Sequence, residues 1–307
     1  PVGWIAHALG SVPRVRERAR DADVIHAQAF ASVVPAAAAR RVRGAPLVTT
    51  YHTSHFLRRA EQARWRPVLS RLIRTADHNL AASREIADVA ERLAPGVEVE
   101  ALTNGVDTEV FRPGEAALPP GSRRRLVVPR RLFAKNGVEF LVRAMPRIME
   151  RVDAEAMLVG DGPERARLEA LARDLDVADR VTFLGARAND EMPGLLRSGE
   201  VAVFPSLMEA TSVAALESMA CGVPVAASRV GGLPEIVDET VGALFEPADP
   251  ASLADTVVAL LEADDLAERG RRARARVVER WSNDRLARRH LEVYEGLLDG
   301  SRSRAAG

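Results

Sequence analysis

Short apolar runs alternate with stretches of helical periodicity along most of the chain. Eight runs end at a turn or a polar residue and are predicted as strands: Val24–His26, Leu47–Tyr51, His78–Ala81, Leu126–Val128, Ala156–Val159, Val181–Leu184, Val201–Phe204 and Val223–Ala226. Strands that alternate with helices indicate βαβ units, whose parallel sheets are covered by helices on both faces. The predicted fold class is therefore α/β, with two Rossmann-like domains whose parallel sheets face each other across a cleft.

A segment rich in proline and glycine separates the two groups of strands. Residues 114–123 have no apolar periodicity and are predicted as a linker between domains at 1–113 and 124–307. Strand patterns cease after about residue 249, and three helical stretches follow. The last, at about 284–298, is expected to pack back toward the N-terminal domain.

Polar and glycine-rich residues follow many of the predicted strands. They include His26, His52, and the stretches 130–135, 160–162, 185–187 and 205–209. Ligands of parallel sheets bind at the carboxyl ends of strands, so these residues are the first candidates for a site.

The strongest candidate follows the strand that ends at Pro205. Ser212 is a good N-cap for a helix, and the first-turn amides of Val213 and Ala214 would favour an anion. Glu209 precedes this helix and Glu217 lies within it. Carboxylates on both sides of an anion site suit a ligand that contains sugar, phosphate and ribose. Spacing alone leaves the alternative of a loop acid and a solvated helix acid.

Composition singles out one further residue. Of the 43 basic residues all are arginine except Lys135. An ammonium group meets a phosphate end-on and is chemically distinct from a guanidinium, so Lys135 is a candidate for phosphate binding.

Composition and charge also bound the location. No apolar run approaches the roughly 18 residues of a membrane-spanning helix, and a single cysteine, Cys221, fits a reducing cytosol. The net charge is zero, but residues 40–74 hold nine arginines and one acid. The cysteine content predicts a cytoplasmic protein. The arginine excess favours a peripheral position on the inner face of the membrane, with a lipid-linked or membrane-associated acceptor. Solvated arginine tips are the alternative.

Several motifs in this order resemble the retaining family 4 glycosyltransferases of GT-B fold. Glu209 and Glu217 match the E-x7-E motif, and the matching segments around it are 159–163, 183–185, 230–235, 104–107 and 111–113. The similarity covers essentially the whole chain.

The resemblance implies a role for each matching residue. It places Glu209 at the donor sugar, Glu217 at the ribose hydroxyls, and His52 beside the reacting sugar. The remaining donor-binding candidates, which are implied to lie near the sugar, the diphosphate or the base, are Thr211, Ser212, Val213, Gly162 and Arg187.

Two departures from the family pattern concern the donor site. Ala210-Thr211-Ser212 stands where a Gly-aromatic-Gly run is usual, and loss of glycine narrows the backbone approach. The family's phosphate motif usually has Arg-Leu, then three variable residues, then Lys-Gly. The corresponding segment here is 131–137, in which Lys135 comes one position earlier than in the family motif. We favour Arg131 with Lys135 as the diphosphate ligands, and Arg130 in the arginine role is the alternative.

Glycosyl transfer expels a nucleoside diphosphate, so protein cations at the leaving oxygen lower the barrier as an oxyanion hole does. With these cations no metal or other cofactor is required. The minor alternative is a metal site at Asp21-Ala22-Asp23, which resembles a D-x-D metal-binding motif.

The predicted function is a metal-independent retaining glycosyltransferase that moves a sugar from a nucleoside-diphosphate sugar to a hydroxyl. The alternatives are a non-catalytic nucleotide-sugar-binding protein, and an epimerase or phosphorylase of the same fold. The family's opening strand and glycine-rich turn have no counterpart before Asp23. On that basis we expect nucleotide binding with poor transfer, and a less stable first domain.

Overall fold

The computed structural model describes residues 2–52 and 54–306. The chain forms two compact units, one of Pro1–Asn104 with Leu286–Gly307 and the other of Gly105–Arg285. Each unit is built around its own parallel sheet. The α/β prediction is confirmed.

The first unit has a four-stranded parallel sheet in the order β1-β2-β3-β4. Its strands are β1 (Ile25–Ala27), β2 (Leu47–Tyr51), β3 (His78–Ala81) and β4 (Val99–Ala101). All five residues of β2 are buried, as expected for a strand covered on both faces. The helices of this unit are α1 (Val2–Arg18), α2 (Val33–Arg43), α3 (Ser54–Ala60), α4 (Arg66–Ile73) and α5 (Arg84–Leu93), with 3₁₀ turns at Phe30–Ser32 and Ala63–Trp65.

The second unit has a six-stranded parallel sheet in the order β10-β9-β8-β5-β6-β7. Its strands are β5 (Arg124–Val128), β6 (Ala154–Val159), β7 (Val181–Gly185), β8 (Val201–Phe204), β9 (Val225–Ser228) and β10 (Gly242–Phe245). The strand order reverses between β5 and β8. In a doubly wound sheet the ligand crevice opens at this reversal, outside the carboxyl ends of the two strands.

Helices cover the second sheet. They are α6 (Val138–Met149), α7 (Arg165–Asp174), α8 (Met192–Arg197), α9 (Val213–Ala220), α10 (Leu233–Ile236), α11 (Pro250–Leu261) and α12 (Leu266–Arg280), and a 3₁₀ turn lies at Ala134–Asn136. Two apolar clusters form the core of this unit, one of which includes Leu126 and Leu141 and the other Val127 and Phe204.

The last helix, α13 (Asn283–Ala306), belongs from Leu286 onward to the first unit. Val293 is buried in a cluster with Val48 and Leu80. Arg289 donates two hydrogen bonds to the Glu100 carboxylate, at 2.7 and 3.0 Å. None of the described helices has the length and apolar character needed to cross a membrane.

The structure differs from the sequence prediction at short strands and at the linker. β4 and β10 were not predicted, and two other strands are shifted, β1 by one residue and β9 by two. Residues 114–123, predicted as a linker, lie within the second unit. There the Ala117 amide donates to the Gly194 carbonyl at 2.9 Å, and the Leu118 amide to Ser198 Oγ at 3.0 Å.

Candidate functional site

The candidate site of the second unit lies where β5 and β8 end, at the reversal of strand order. β5 runs into Pro129 and Arg130, and β8 runs into Pro205 and Ser206. These two strands are neighbours in the sheet, so their following loops meet. The polar residues singled out by strand-end position thus come together at the expected crevice.

Helix α9 begins at this crevice. Ser212 has extended backbone angles (φ −95°, ψ 90°), and its Oγ accepts a hydrogen bond from the Ala215 amide at 3.4 Å. The first-turn amides of Val213 and Ala214 have no acceptor within the helix, and the helix dipole adds positive potential there. The helix start predicted at Ser212 therefore exists and can bind an anion.

Arg130 is the centre of a buried polar network. Its side chain is 9% exposed, and its Nη2 lies 2.6 Å from Glu209 Oε2, 2.6 Å from Ser206 Oγ and 3.0 Å from Asn136 Oδ1. The two N–H groups of Nη2 are shared among these three acceptors. Nη1 lies 3.5 Å from Ser212 Oγ. The network joins Glu209 to the start of α9.

One polar atom of this network is buried without a hydrogen-bond partner among the described residues, Arg130 Nε. The guanidinium also lies 5.6 Å from the centre of the Phe204 ring at the end of β8. Burial without full hydrogen bonding costs free energy, so such a group needs a compensating role.

Glu209 is held from both sides. The Arg130 guanidinium binds the Glu209 carboxylate, and the Glu209 side chain is 15% exposed. Behind it, Gly231 has a φ of +54°, and a Cβ at Gly231 would lie 1.7 Å from the Glu209 carbonyl oxygen. Only glycine fits this contact, because any side chain would displace the loop. The Val230-Gly231-Gly232 segment of the sequence motif therefore positions Glu209.

Glu217 lies in α9 and is half-buried. Its carboxylate has no ion-pair partner among the described residues. Burial raises the pKa of Glu217 to about 7. A carboxylate that is removed from water and unpaired gains from a ligand that supplies hydroxyl donors.

Arg131 and Lys135 occupy a different environment from Arg130. Both are exposed on the loop after β5, and Arg131 lies 5.5 Å from the centre of the Phe133 ring. No described contact links either cation to Glu209. They form an exposed basic rim beside the buried network.

The other predicted donor ligands lie on the surrounding loops. Thr211 and Val213 are half-buried at the start of α9. A Cβ at Gly162 would lie 2.4 Å from the Leu132 carbonyl oxygen, so this glycine lets the loops after β5 and β6 pack together. Arg187 is exposed after β7, with Nη1 3.7 Å from Glu191 Oε1.

Two members of the network were missed as site residues. Ser206 is fully buried, and Asn136 is 4% exposed. Asn136 occupies the position directly before Gly137, at which the family motif has lysine. Alignment of this chain with the motif could therefore have indicated Asn136 as a site residue. Ser206 lies in the strand-end stretch 205–209, but no role was predicted for this residue individually.

In the first unit His52 follows β2 and is half-buried. Its Nε2 lies 2.5 Å from Gln28 Oε1. Burial, and then the charge of His290, lower the pKa of His52. An imidazole that is held by Gln28 and is neutral near pH 7 suits a positioned hydrogen-bond donor.

His26 has both ring nitrogens engaged within the protein. Nδ1 lies 2.6 Å from the Tyr294 hydroxyl, and Nε2 lies 2.7 Å from Thr50 Oγ1. Burial, and then the charge of His290, lower the pKa of His26 to about 4. This geometry favours a structural role for His26.

No group of three or more His, Cys, Asp or Glu side chains arranged to hold a metal ion occurs in the described part of the chain. Asp21 and Asp23, the residues of the D-x-D reading, are exposed before β1.

Comparisons with known proteins match both units. The family model "Glycosyl transferases group 1" matches residues 123–263, and "Glycosyltransferase Family 4" matches residues 3–110. The D-inositol 3-phosphate glycosyltransferase of Acidothermus cellulolyticus is 34% identical over 92% of this chain and 69% of that protein. The N-acetyl-alpha-D-glucosaminyl L-malate synthase of Bacillus anthracis is 31% identical over 76% of this chain.

A further relative is the GDP-mannose-dependent alpha-(1-6)-phosphatidylinositol monomannoside mannosyltransferase of Mycobacterium tuberculosis, 35% identical over 67% of this chain. The chain spans 64% of the Bacillus relative and 58% of this one.

Solved structures show the same fold. Sucrose-phosphate synthase from Thermosynechococcus elongatus superposes with a TM-score of 0.79 at 25% identity, over 91% of this chain and 74% of that one. Anabaena HepE, in a crystal structure with UDP, superposes with a TM-score of 0.81 at 22% identity, over 93% and 82%. Because two family models match consecutive parts and a relative is similar along nearly the whole chain, this protein belongs to the family 4, group 1 glycosyltransferases of GT-B fold.

Proposed function

We propose that the protein transfers a sugar from a nucleoside-diphosphate sugar to a hydroxyl acceptor, with retention of anomeric configuration and without a metal ion. The observation that carries this proposal is the Arg130–Glu209 pair, buried beside the start of α9 at the reversal of strand order. A fixed carboxylate beside a helix start supports the proposal, because a sugar diphosphate needs both a hydroxyl acceptor and an anion site.

Each part of the donor has a matching group. The α9 amides and the rim cations Arg131 and Lys135 bind the diphosphate, and Glu209 accepts hydrogen bonds from the sugar hydroxyls. Glu217 accepts from the ribose. Negative charge grows on the leaving oxygen as the sugar becomes cationic, and preorganised donors at that oxygen stabilise the transition state by several kcal/mol, about 3 for a single donor.

The acceptor contributes a hydroxyl, and we propose that it is lipid-linked or membrane-associated. One relative's name includes a phosphatidylinositol-based acceptor, and the first unit carries a basic surface that is described below. His52 lies on the side of the first unit's strand ends and is proposed to contact the reacting sugar.

The test has two stages. Isothermal titration with UDP, GDP and ADP, and then with their sugars, identifies the nucleotide that binds. Transfer to candidate acceptors is then followed by NMR of the anomeric proton, with and without EDTA. Activity that is unchanged by EDTA and an α-linked product from an α-linked donor are expected.

Two outcomes would contradict the proposal. Because slow transfer is expected, only donor binding with no detectable transfer to any acceptor after prolonged incubation would favour a non-catalytic binding protein. A strict requirement for manganese or magnesium, restored when the ion is added back, would return Asp21 and Asp23 to consideration as ligands.

A further inference from the structure

The first unit carries a concentrated group of exposed arginines on α3, the 3₁₀ turn at Ala63–Trp65 and α4. Residues 54–74 contain six arginines and one acid, Glu61. Five of the arginines are exposed, and we call them the arginine surface: Arg58, Arg64, Arg66, Arg71 and Arg74.

The charge of the arginine surface is not neutralised. None of its five members forms an ion pair with a residue that the structure describes. Arg66 and Arg74 donate only to backbone carbonyl groups, at 3.1 and 2.9 Å. By contrast, exposed Arg147 on the second unit pairs with Asp255 at 2.9 Å. The surface therefore keeps a positive potential that a partner of opposite charge would meet.

The arginine surface also has an apolar centre. Pro67 and Val68 are exposed on α4, with Val68 at 40%, while Leu69 and Ile73 on the same helix are fully buried. Arg71 lies one helical turn after the exposed apolar pair on α4, and Arg64 precedes the helix in the adjoining 3₁₀ turn. A short apolar centre between cations is the arrangement of helices that lie in a membrane interface.

Aromatic stacking fixes this segment on the unit. The Arg59 guanidinium lies 5.1 Å from the centre of the Phe30 ring and 5.2 Å from that of Trp65. Trp65 is half-buried beneath it. This packing holds α4 in place, and it leaves neither Phe30 nor Trp65 exposed for a nucleic-acid base to stack on.

We propose that the arginine surface docks the protein on an anionic phospholipid bilayer. The guanidinium groups bind lipid phosphates, and Val68 enters the headgroup region. The proposal extends the proposed function by stating where the acceptor is met, but membrane binding by these residues does not depend on transfer activity.

Vesicle flotation tests the proposal. The protein is expected to float with vesicles of phosphatidylglycerol and phosphatidylcholine, not with phosphatidylcholine alone, and to be released by salt, since a Debye length of about 10 Å at 0.1 M screens such contacts. The triple variant Arg58→Glu, Arg64→Glu, Arg71→Glu avoids the two arginines that bind backbone carbonyls. We expect its partition coefficient to fall by at least about 100-fold.

The matched control is Arg143→Glu, Arg173→Glu, Arg280→Glu. These arginines are exposed on the second unit and form no ion pair with a described residue, so the control changes net charge equally. It is expected to keep at least half of the vesicle binding. Equal loss in both triple variants would show that total charge, and not the arginine surface, is responsible, and would overturn the proposal.

An environment-sensitive label reports the docking site directly. Cys221 is 4% exposed, so a label attached at Val68→Cys is selective. Its fluorescence should shift to the blue on adding anionic vesicles, whereas a label at Arg173→Cys should not respond. Binding of the parent to single-stranded DNA or heparin but not to vesicles would overturn the proposal in favour of another polyanion.

Nucleotide titration of the same variants separates this proposal from the proposed function. The variant of the arginine surface should bind nucleotide as the parent does. If the parent protein bound no nucleotide, that result would count against the proposed function and not against membrane docking.

Discussion

Arg130 and Arg131 are adjacent and identical in the sequence, yet their environments differ. Arg130 is buried against Glu209, while Arg131 is exposed beside Phe133. The sequence motif placed an arginine here, but it could not decide which of the two turns inward. That choice depends on how the loop after β5 packs against Pro205, where Gly137 (φ +63°) comes so close that a Cβ would meet the Pro205 carbonyl oxygen.

Replacing each arginine separately tests these roles. Arg130→Ala leaves the Glu209 carboxylate buried without its cation, so the free energy of unfolding should fall by about 3 kcal/mol. Arg131→Ala, the matched control, should change it by less than about 0.5 kcal/mol and weaken nucleotide binding instead. Denaturant unfolding and isothermal titration measure the two effects. Equal stability of both variants would contradict the buried network.

Lys135 tests the basic rim in the same way. Lys135→Ala should weaken binding of the nucleoside diphosphate and reduce turnover, whereas Lys135→Arg should restore charge but not the full rate, because the two cations differ in shape and hydration. Initial rates and titration with the diphosphate report both. Full activity in Lys135→Ala would transfer the phosphate role to its neighbours.

The carboxylate of Glu217 makes donor binding depend on pH. Burial raises its pKa to about 7, so at lower pH it is protonated and accepts ribose hydrogen bonds less well. Donor affinity should rise as pH increases through 7, and Glu217→Gln should remove this part of the pH dependence. Above the pKa, Glu217→Ala should cost about 1.5–3 kcal/mol of binding free energy. Titration across this range measures both, and equal donor affinity of Glu217→Ala and the parent would reject the assignment.

At the scale of elements, periodicity located the buried strands, the edge strands β1 and β7 and the three helices after residue 249, but not the edge strands β4 and β10. Val99–Ala101 and Gly242–Phe245 lie at the edges of their sheets and have only partly buried faces. Short edge strands carry little alternation and few β-branched residues, so local sequence does not distinguish them from loops. Their pairing is set by the neighbouring strands β3 and β9.

The docking of α13 on the first unit is also an element-scale feature that depends on pH. His26 lies against Tyr294 of this helix, and the His26 and His290 ring centres are 5.5 Å apart. The other titratable groups that influence His26 are His52 and His78. Its pKa of about 4 in the folded protein is below the value of 6.5 for an unperturbed histidine, so acid favours the unfolded state.

Stability of the first unit should therefore be complete above pH 6.5 and fall as the pH drops toward 4, by about 2–3 kcal/mol from His26. Thermal unfolding followed by circular dichroism across this range measures the loss. His26→Gln should have a smaller acid effect and lower stability at neutral pH. An identical pH profile in this variant would show that other groups control the acid sensitivity.

At the scale of the whole molecule, the two units have separate cores and separate roles in the proposal. The proposed ligands of the diphosphate (Arg131 and Lys135), the sugar (Glu209) and the ribose (Glu217) all belong to the second unit. A nucleotide should therefore stabilise that unit in particular. With ligand at 100 times its dissociation constant, linkage adds about 2.7 kcal/mol, which for a unit of this size raises the midpoint by roughly 5–10 °C.

Differential scanning calorimetry with and without the nucleotide that binds measures this effect. The transition of the second unit should move to higher temperature, while that of the first unit should stay within about 1 °C, since it gains no ligand contact under this proposal. Glu217→Ala is the matched control, because it removes a ligand contact and should reduce the shift without altering the first transition. Equal shifts of both transitions would mean that nucleotide binding engages the two units together, and the assignment of the donor site to the second unit alone would then be wrong.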